Sequence, residues 1–124
     1  MKVLLADDDP DQLALRCMLV ERSGFETISA HDGDSAARLA EFHRPECAVI
    51  DLRLPTEELG SRLIRELKRT DPSIHILVIT GSNPEHIARQ AIGELIEGVV
   101  PKGGGAGVLV QKLQSVAADL SRSR

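Results

Sequence analysis

Residues 3–10 read Val-Leu-Leu-Ala-Asp-Asp-Asp-Pro, and this stretch decides the interpretation of the whole chain. Four apolar residues in a row, without alternation, indicate a short strand that is covered on both faces. Asp9 followed by Pro10 is typical of a helix start, because the carboxylate caps free backbone N–H groups and proline fits the first helical position. The stretch therefore predicts a buried strand, an acidic turn and a helix.

The same succession repeats along the chain. Five apolar runs predict strands, and they are Val3–Ala6, Thr27–Ala30, Cys47–Ile50, Ile74–Ile79 and Val99–Val100. Five helices are predicted between and after them. Three run from Pro10 until Gly24 ends the helix, from about Ser35 to Phe42, and from about Ser61 to Thr70. The fourth follows Asn83-Pro84, with Ile87, Ala88, Ala91 and Ile92 on one face, and the fifth carries the apolar stripe Leu109, Leu113, Val116, Ala117 and Leu120. Such alternation implies an α/β fold, with a doubly wound five-stranded parallel sheet and helices on both faces.

Composition bounds the possible functions. The chain has 124 residues, which predicts one domain, and its 15 Lys+Arg against 19 Asp+Glu give a net charge of −4. This balance excludes a broadly basic nucleic-acid surface, and two Phe without Trp or Tyr disfavour base stacking. Because no apolar run approaches membrane-spanning length and no signal segment opens the chain, we expect a cytoplasmic protein. Cys17 and Cys47 are expected to be small buried thiols in a reducing compartment.

Polar residues follow four of the predicted strands at the point where each strand ends. They are Asp7, Asp8 and Asp9 after the first strand, Asp51 after the third, Thr80, Gly81 and Ser82 after the fourth, and Lys102 after the fifth. In open parallel sheets ligands bind at the carboxyl ends of the strands, so we expect these side chains to share one crevice.

The charges in that crevice point to a chemistry. Three converging carboxylates, Asp7, Asp8 and Asp51, would repel one another, and Lys102 alone cannot neutralise them. A hard divalent cation such as Mg²⁺ would, and it would leave Lys102 and the Thr80 hydroxyl to meet an anion. One carboxylate can then act as a nucleophile toward phosphorus. Taken singly, Asp7–Asp9 could be only a helix cap, and Asp51 could simply end a strand.

Together these residues resemble the receiver domain of two-component response regulators, over residues 2 to about 121. The resemblance implies a flavodoxin-like (βα)5 fold with strand order 2-1-3-4-5. It also implies that residues 1–121 form the receiver domain and residues 122–124 a polar tail. No membrane contact and no direct nucleic-acid binding by the domain are expected.

The resemblance assigns a role to each site residue. Asp7 and Asp8 match the acidic pair that holds Mg²⁺, with Asp8 as a direct ligand, and the backbone carbonyl of Arg53 matches a further ligand. Asp51 matches the phosphoacceptor, which also contacts the metal. Thr80 matches the switch hydroxyl, and Lys102 matches the lysine that pairs with the phosphoryl group.

The implied function is signal transfer rather than turnover. A sensor histidine kinase or a histidine phosphotransfer protein would donate the phosphoryl group to Asp51. Thr80 would then move inward, and the face formed by the fourth helix, fifth strand and fifth helix would change its preference for an effector protein or output domain. Dimerisation through the same face is possible. At most slow self-dephosphorylation is expected, tuned by Arg53 and Ser82, with the long Arg53 shielding the phosphoryl group.

Four features depart from the family pattern. Val99 stands at the switch position where the family has Tyr or Phe. Gly103 replaces proline after the lysine, so we predict a trans Lys102–Gly103 bond. The loop Thr56–Gly60 is one residue longer than usual. Leu95 and Ile96 replace small residues, and they either enlarge an apolar surface or pack in the core.

Two other functions compete with a working receiver. One is a degenerate receiver that acts as an interaction module without phosphorylation, which the departures at Val99 and Gly103 favour. The other is a small phosphatase of the haloacid dehalogenase type, with Asp7 and Asp9 as its carboxylate pair. The phosphatase leaves Asp51 without a role.

Overall fold

The computed structural model describes residues 1–103 and 106–122. Five parallel strands form one sheet of order β2-β1-β3-β4-β5, as predicted. They are β1 (Lys2–Ala6), β2 (Glu26–Ala30), β3 (Cys47–Asp51), β4 (His75–Thr80) and β5 (Gly98–Pro101). The helices are α1 (Pro10–Arg22), α2 (Gly33–His43), α3 (Glu57–Thr70), α4 (Pro84–Arg89), a 3-10 helix (Ala91–Leu95) and α5 (Ala106–Arg122).

The sheet separates two hydrophobic cores, because successive side chains of a strand point to opposite faces. Leu4, Ala48 and Ile76 face α2, α3 and α4, while Val3, Val49 and Leu77 face α1 and α5. Burial on both faces explains why the central strands are near-continuous apolar runs. Polar side chains are thereby confined to the strand ends.

Two predicted helix starts are confirmed. The Asp9 carboxylate accepts hydrogen bonds from the backbone N–H groups of Asp11 and Gln12 at the start of α1. Asn83 caps α4 in the same way, and Pro84 occupies its first turn. Each cap lies three residues after the end of a strand that ends in the predicted crevice, so it fixes the direction in which the chain leaves it.

The predicted start of the third helix at about Ser61 is wrong, because α3 begins at Glu57. The Thr56 hydroxyl accepts a hydrogen bond from the N–H of Leu59 at 3.2 Å, which caps the helix one turn earlier than the apolar pattern indicated. Glu57 and Glu58 lie in the first turn, where the helix dipole favours negative charge. This helix start borders the predicted crevice.

The predicted single fourth helix is also wrong. Its α-helical part ends at Arg89, and Gln90 has extended backbone angles before the 3-10 helix. In an uninterrupted helix Ile87 and Ile92 would lie about 140° apart, on different faces. The break allows both isoleucines to be buried in one core, while Ala91, which was expected on the inner face, is exposed.

The Lys102–Gly103 bond is trans, since Leu54–Pro55 is the one cis bond among the described residues. Leu95 and Ile96 pack against the core on the α3 side, which favours the core interpretation over an enlarged surface. Arg122, predicted to begin a polar tail, still belongs to α5, and Ser123 and Arg124 lie outside the described residues.

The two cysteines differ in burial. Cys47 is buried, and burial raises the pKa of its thiol to about 12, whereas Cys17 is only partly buried. Both remain small thiols within the core layer of α1 and α5. Across residues 1–103 and 106–122, no helix is both long and apolar enough to cross a membrane.

Gly60 generates a prediction about stability. A Cβ atom at this position would lie 1.9 Å from the carbonyl oxygen of Leu52, so α3 can approach the end of β3 only with glycine there. We expect Gly60→Ala to lower the free energy of unfolding by about 2–3 kcal/mol in urea denaturation, because buried backbone must shift. Gly33→Ala is the matched control, since a Cβ at Gly33 meets nothing within 4 Å. An equal effect of the two substitutions would contradict this packing argument.

Candidate functional site

The carboxyl ends of β1, β3, β4 and β5 lie side by side, and the predicted polar residues gather there. Two cavities adjoin at this edge, of about 360 Å³ and about 190 Å³. The larger is lined by Asp7, Asp8, Asp9, Gln12, Arg16, Asp51 and Lys102. The smaller is lined by Asp51, Arg53, Thr80, Gly81, Ser82 and Lys102. Asp51 and Lys102 line both, so they stand at the boundary between an acidic side and a hydroxyl-bearing side.

Asp51 is the centre of the site. It is the last residue of β3 and is only 2% exposed. One carboxylate oxygen accepts a hydrogen bond from the Arg53 N–H at 3.0 Å, and the other lies 3.0 Å from the Lys102 ammonium nitrogen. Burial raises the pKa of the Asp51 carboxyl, Lys102 and the Arg53 N–H act against this, and the nearby Asp7 charge adds to it. The ionised carboxylate therefore has less stabilisation here than it would have in water.

Asp7 is the second buried carboxylate, and it lies directly after β1. It accepts a hydrogen bond from the Asp9 N–H at 2.9 Å and forms an ion pair with the Arg16 guanidinium. Arg16 is a site residue that the sequence analysis missed. The sequence spacing could have indicated it, because Arg16 lies three residues after Leu13 and four before Val20, on the inner face of α1.

Thr80, the last residue of β4, lines the smaller cavity. Its hydroxyl accepts a hydrogen bond from the Ser82 N–H at 3.0 Å, and its carbonyl accepts one from the Lys102 N–H at 3.0 Å. The Ser82 hydroxyl in turn donates to the Glu57 carboxylate at 3.4 Å. Glu57, another residue that the sequence analysis missed, thus connects the start of α3 to the β4–α4 loop.

The remaining predicted residues differ in their positions. Asp8 and Arg53 are exposed at the rim of the cavities. Val99 does not line either cavity, since its half-buried side chain packs against the core on the α3 and α4 side. The Asp9 carboxylate caps α1. This structural role accounts for Asp9 without the phosphatase hypothesis.

The donor set has the chemistry that Mg²⁺ requires, because carboxylate and backbone carbonyl oxygens are its preferred protein ligands. In the part of the chain that the structure describes, however, no three His, Cys, Asp or Glu side chains converge as a metal cluster. Asp7 and Asp51 instead carry the cationic partners Arg16 and Lys102. Each of the two buried carboxylates therefore already has one cationic side chain beside it.

Comparison with known proteins decides the family. The sequence pattern of the response regulator receiver domain matches residues 3–114. The chain belongs to this family. It is 32% identical over 84 residues to the alkaline phosphatase synthesis transcriptional regulatory protein PhoP of Bacillus subtilis, covering 68% of this chain and 35% of PhoP. It is 38% identical over 77 residues to the polar-differentiation response regulator DivK of Brucella anthropi, covering 62% of each.

Solved structures agree with this assignment. A CheY-like receiver domain from Methanospirillum hungatei superposes with a TM-score of 0.88 at 18% identity, covering 99% of this chain and 98% of that one. A response regulator from Burkholderia pseudomallei was solved with a phosphorylated aspartic acid, a calcium ion and citrate. It superposes with a TM-score of 0.80 at 27% identity, covering 98% of this chain and 71% of that one. The predicted receiver fold is confirmed.

The family sets the general function of the chain. Receiver domains belong to the response regulators of two-component signalling, and they are phosphoacceptors rather than enzymes in the usual sense. The chain spans 35% of PhoP and 39% of PrrA of Mycobacterium bovis, so it corresponds to one part of these curated relatives.

The buried charge of Asp51 leads to a prediction. A carboxyl whose pKa is raised in the folded state holds its proton more tightly there, so stability falls as the pH rises from the unfolded to the folded pKa. Above that window, ionised Asp51 opposes folding. With metal removed by EDTA, we expect Asp51→Asn to raise the midpoint of thermal unfolding at pH 7 by about 3 °C.

The gain should shrink as the pH is lowered toward 3.8, the ordinary pKa of aspartate, because the folded wild-type carboxyl takes up its proton in this range and no longer carries a buried charge. Asp34→Asn removes the same charge from an exposed position and is the control. A gain that is absent at pH 7, or that grows in acid, would show that burial of the Asp51 charge costs nothing.

Proposed function

We propose that the chain accepts a phosphoryl group on Asp51 from a phosphohistidine of a sensor kinase or phosphotransfer protein, in a Mg²⁺-dependent reaction in the cytoplasm. The observation that carries this proposal is the buried Asp51 carboxylate beside Lys102, at the boundary of the acidic and hydroxyl-bearing cavities. The phosphorylated aspartic acid of the Burkholderia pseudomallei protein supports it by analogy.

The transfer itself is a displacement at phosphorus. An Asp51 carboxylate oxygen attacks, the new O–P bond forms, and the P–N bond to the donor histidine breaks, with the electron pair and a proton remaining on the imidazole. Asp7, Asp8, Asp51 and the Arg53 carbonyl would hold Mg²⁺, which would supply positive charge to the transferring group. Lys102, which contacts the Asp51 carboxylate, provides a second positive charge.

Thr80 provides the link to a conformational change. Its hydroxyl now accepts the Ser82 N–H, and it can donate its own proton to a phosphoryl oxygen on Asp51. Ser82 is followed directly by Asn83, the cap of α4. We therefore propose that displacement of Thr80 reaches α4 through three residues of backbone, and that the α4–β5–α5 surface then changes its affinity for an effector protein, an output domain or a second copy.

The first test is the intact mass of the protein after incubation with acetyl phosphate and Mg²⁺. We expect one added phosphoryl group in the wild type and in Asp34→Asn, and none in Asp51→Asn or in wild type with EDTA. Because Asp34 and Asp51 differ in burial and position but not in charge, this pair separates the site from a general charge effect. Absence of the adduct in the wild type would favour a degenerate receiver that binds partners without phosphorylation.

Arg53 generates a prediction about the lifetime of the acyl phosphate. Its long exposed side chain lies at the rim of the smaller cavity, where water would approach the phosphoryl group. We expect Arg53→Ala to accelerate hydrolysis about five-fold, equivalent to about 1 kcal/mol of barrier, measured by following the phosphorylated mass over time. Arg62→Ala, an exposed substitution away from this cavity, should leave the decay rate unchanged. Equal decay in all three proteins would remove Arg53 from this role.

A further inference from the structure

Arg16 is a largely buried cation that the proposed transfer does not use. It extends from α1 into the larger cavity and pairs with Asp7, and the two side chains are 12% and 3% exposed. Arg22, which also belongs to α1, is exposed. An arginine on the apolar inner stripe of a helix is costly unless its charge is paired, so the Arg16–Asp7 contact accounts for its position.

Lys102 and Arg16, the two cations paired with the buried carboxylates, differ in the cavities that they line. Lys102 lines both cavities and contacts Asp51, the proposed phosphoacceptor. Arg16 lines the acidic cavity with Asp7 and Asp8 but not the cavity of Thr80. Its charge therefore acts on the carboxylates that would hold a metal ion, not on the side where the phosphoryl group would meet the switch hydroxyl.

We propose that Arg16 is an internal counter-cation of Asp7 that competes with Mg²⁺ for the acidic pocket. This inference rests on the proposed function, since it concerns the same metal site. Two cations that share one carboxylate repel each other, so the ion pair must loosen when the metal binds. The pair compensates the buried Asp7 charge in the metal-free protein and weakens the affinity for Mg²⁺. Arg16 is thus a positioning residue that sets the metal concentration at which the site fills.

The first test measures Mg²⁺ affinity directly, by calorimetric titration at fixed ionic strength. Arg16→Met keeps most of the apolar stem and removes the charge, and we expect it to bind Mg²⁺ at least about 5-fold more tightly than the wild type. Arg16→Lys retains the charge and should stay near the wild-type affinity. Arg22→Met is the matched control, because it removes one positive charge from the exposed surface of the same helix and should leave the affinity unchanged.

A second measurement needs no substitution at Arg16, in case the unpaired Asp7 charge prevents Arg16→Met from folding. In ¹⁵N-labelled wild type, the Nε–H resonance of Arg16 should shift on addition of Mg²⁺ and saturate at the dissociation constant found by calorimetry. The Arg22 resonance should not follow that curve. An Arg16 signal that stays constant while the metal binds would overturn the inference.

The outcomes separate the inference from the proposed function. If the wild type binds Mg²⁺, Asp8→Asn abolishes binding and Arg16→Met leaves it unchanged, the inference fails and the metal site stands. If neither the wild type nor Arg16→Met binds Mg²⁺, both fail. If only Arg16→Met binds, the inference holds in its strongest form, and the Mg²⁺-dependence proposed for the wild type fails.

Discussion

The burial of two like charges at the ends of adjacent central strands is the constraint around which the site is arranged. β1 and β3 are covered on both faces, so their polar residues can stand only where the strands end. Asp7 and Asp51 both stand there, each almost fully buried. A buried carboxylate requires a compensating cation or hydrogen bonds, and each of the two has both. Residues from α1 and from the end of β5 are thereby drawn to the same edge of the sheet.

The three central strand ends share one local device. The side chains of Asp7, Asp51 and Thr80 each accept a hydrogen bond from the backbone N–H two residues later, at 2.9, 3.0 and 3.0 Å. Such a bond sets the conformation in which the following loop begins. The groups that carry the proposed chemistry are therefore also the groups that hold the loops. A new covalent bond at Asp51, or a new partner for the Thr80 hydroxyl, changes the acceptor on which a loop depends.

The sequence predicts the fold, and the position of the candidate site residues at one edge of the sheet, because both follow from local patterns. Continuous apolar runs predict the strands. Polar residues such as Asp51 follow these runs, and the parallel topology brings them to one edge of the sheet. The errors arise where the outcome depends on packing between distant segments. The break after Arg89 serves the joint burial of Ile87 and Ile92, which no local pattern contains. The Arg16–Asp7 pair depends on the rotation of α1 against the sheet, which spacing suggests only after the fold is known.

The route of the proposed switch follows from what surrounds Thr80. Val99 is small and packs with Leu95 and Ile96 against the core, so β5 offers no large side chain that could leave the surface and fill space vacated by the threonine. The β4–α4 loop is a better transmitter, because α4 has only six residues and depends on its Asn83 cap and on buried Ile87. A helix this short has little stability of its own, so a small change at its first turn is enough to shift its conformational equilibrium. In the proposed switch, the short α4 would therefore supply the conformational freedom that the small Val99 side chain does not.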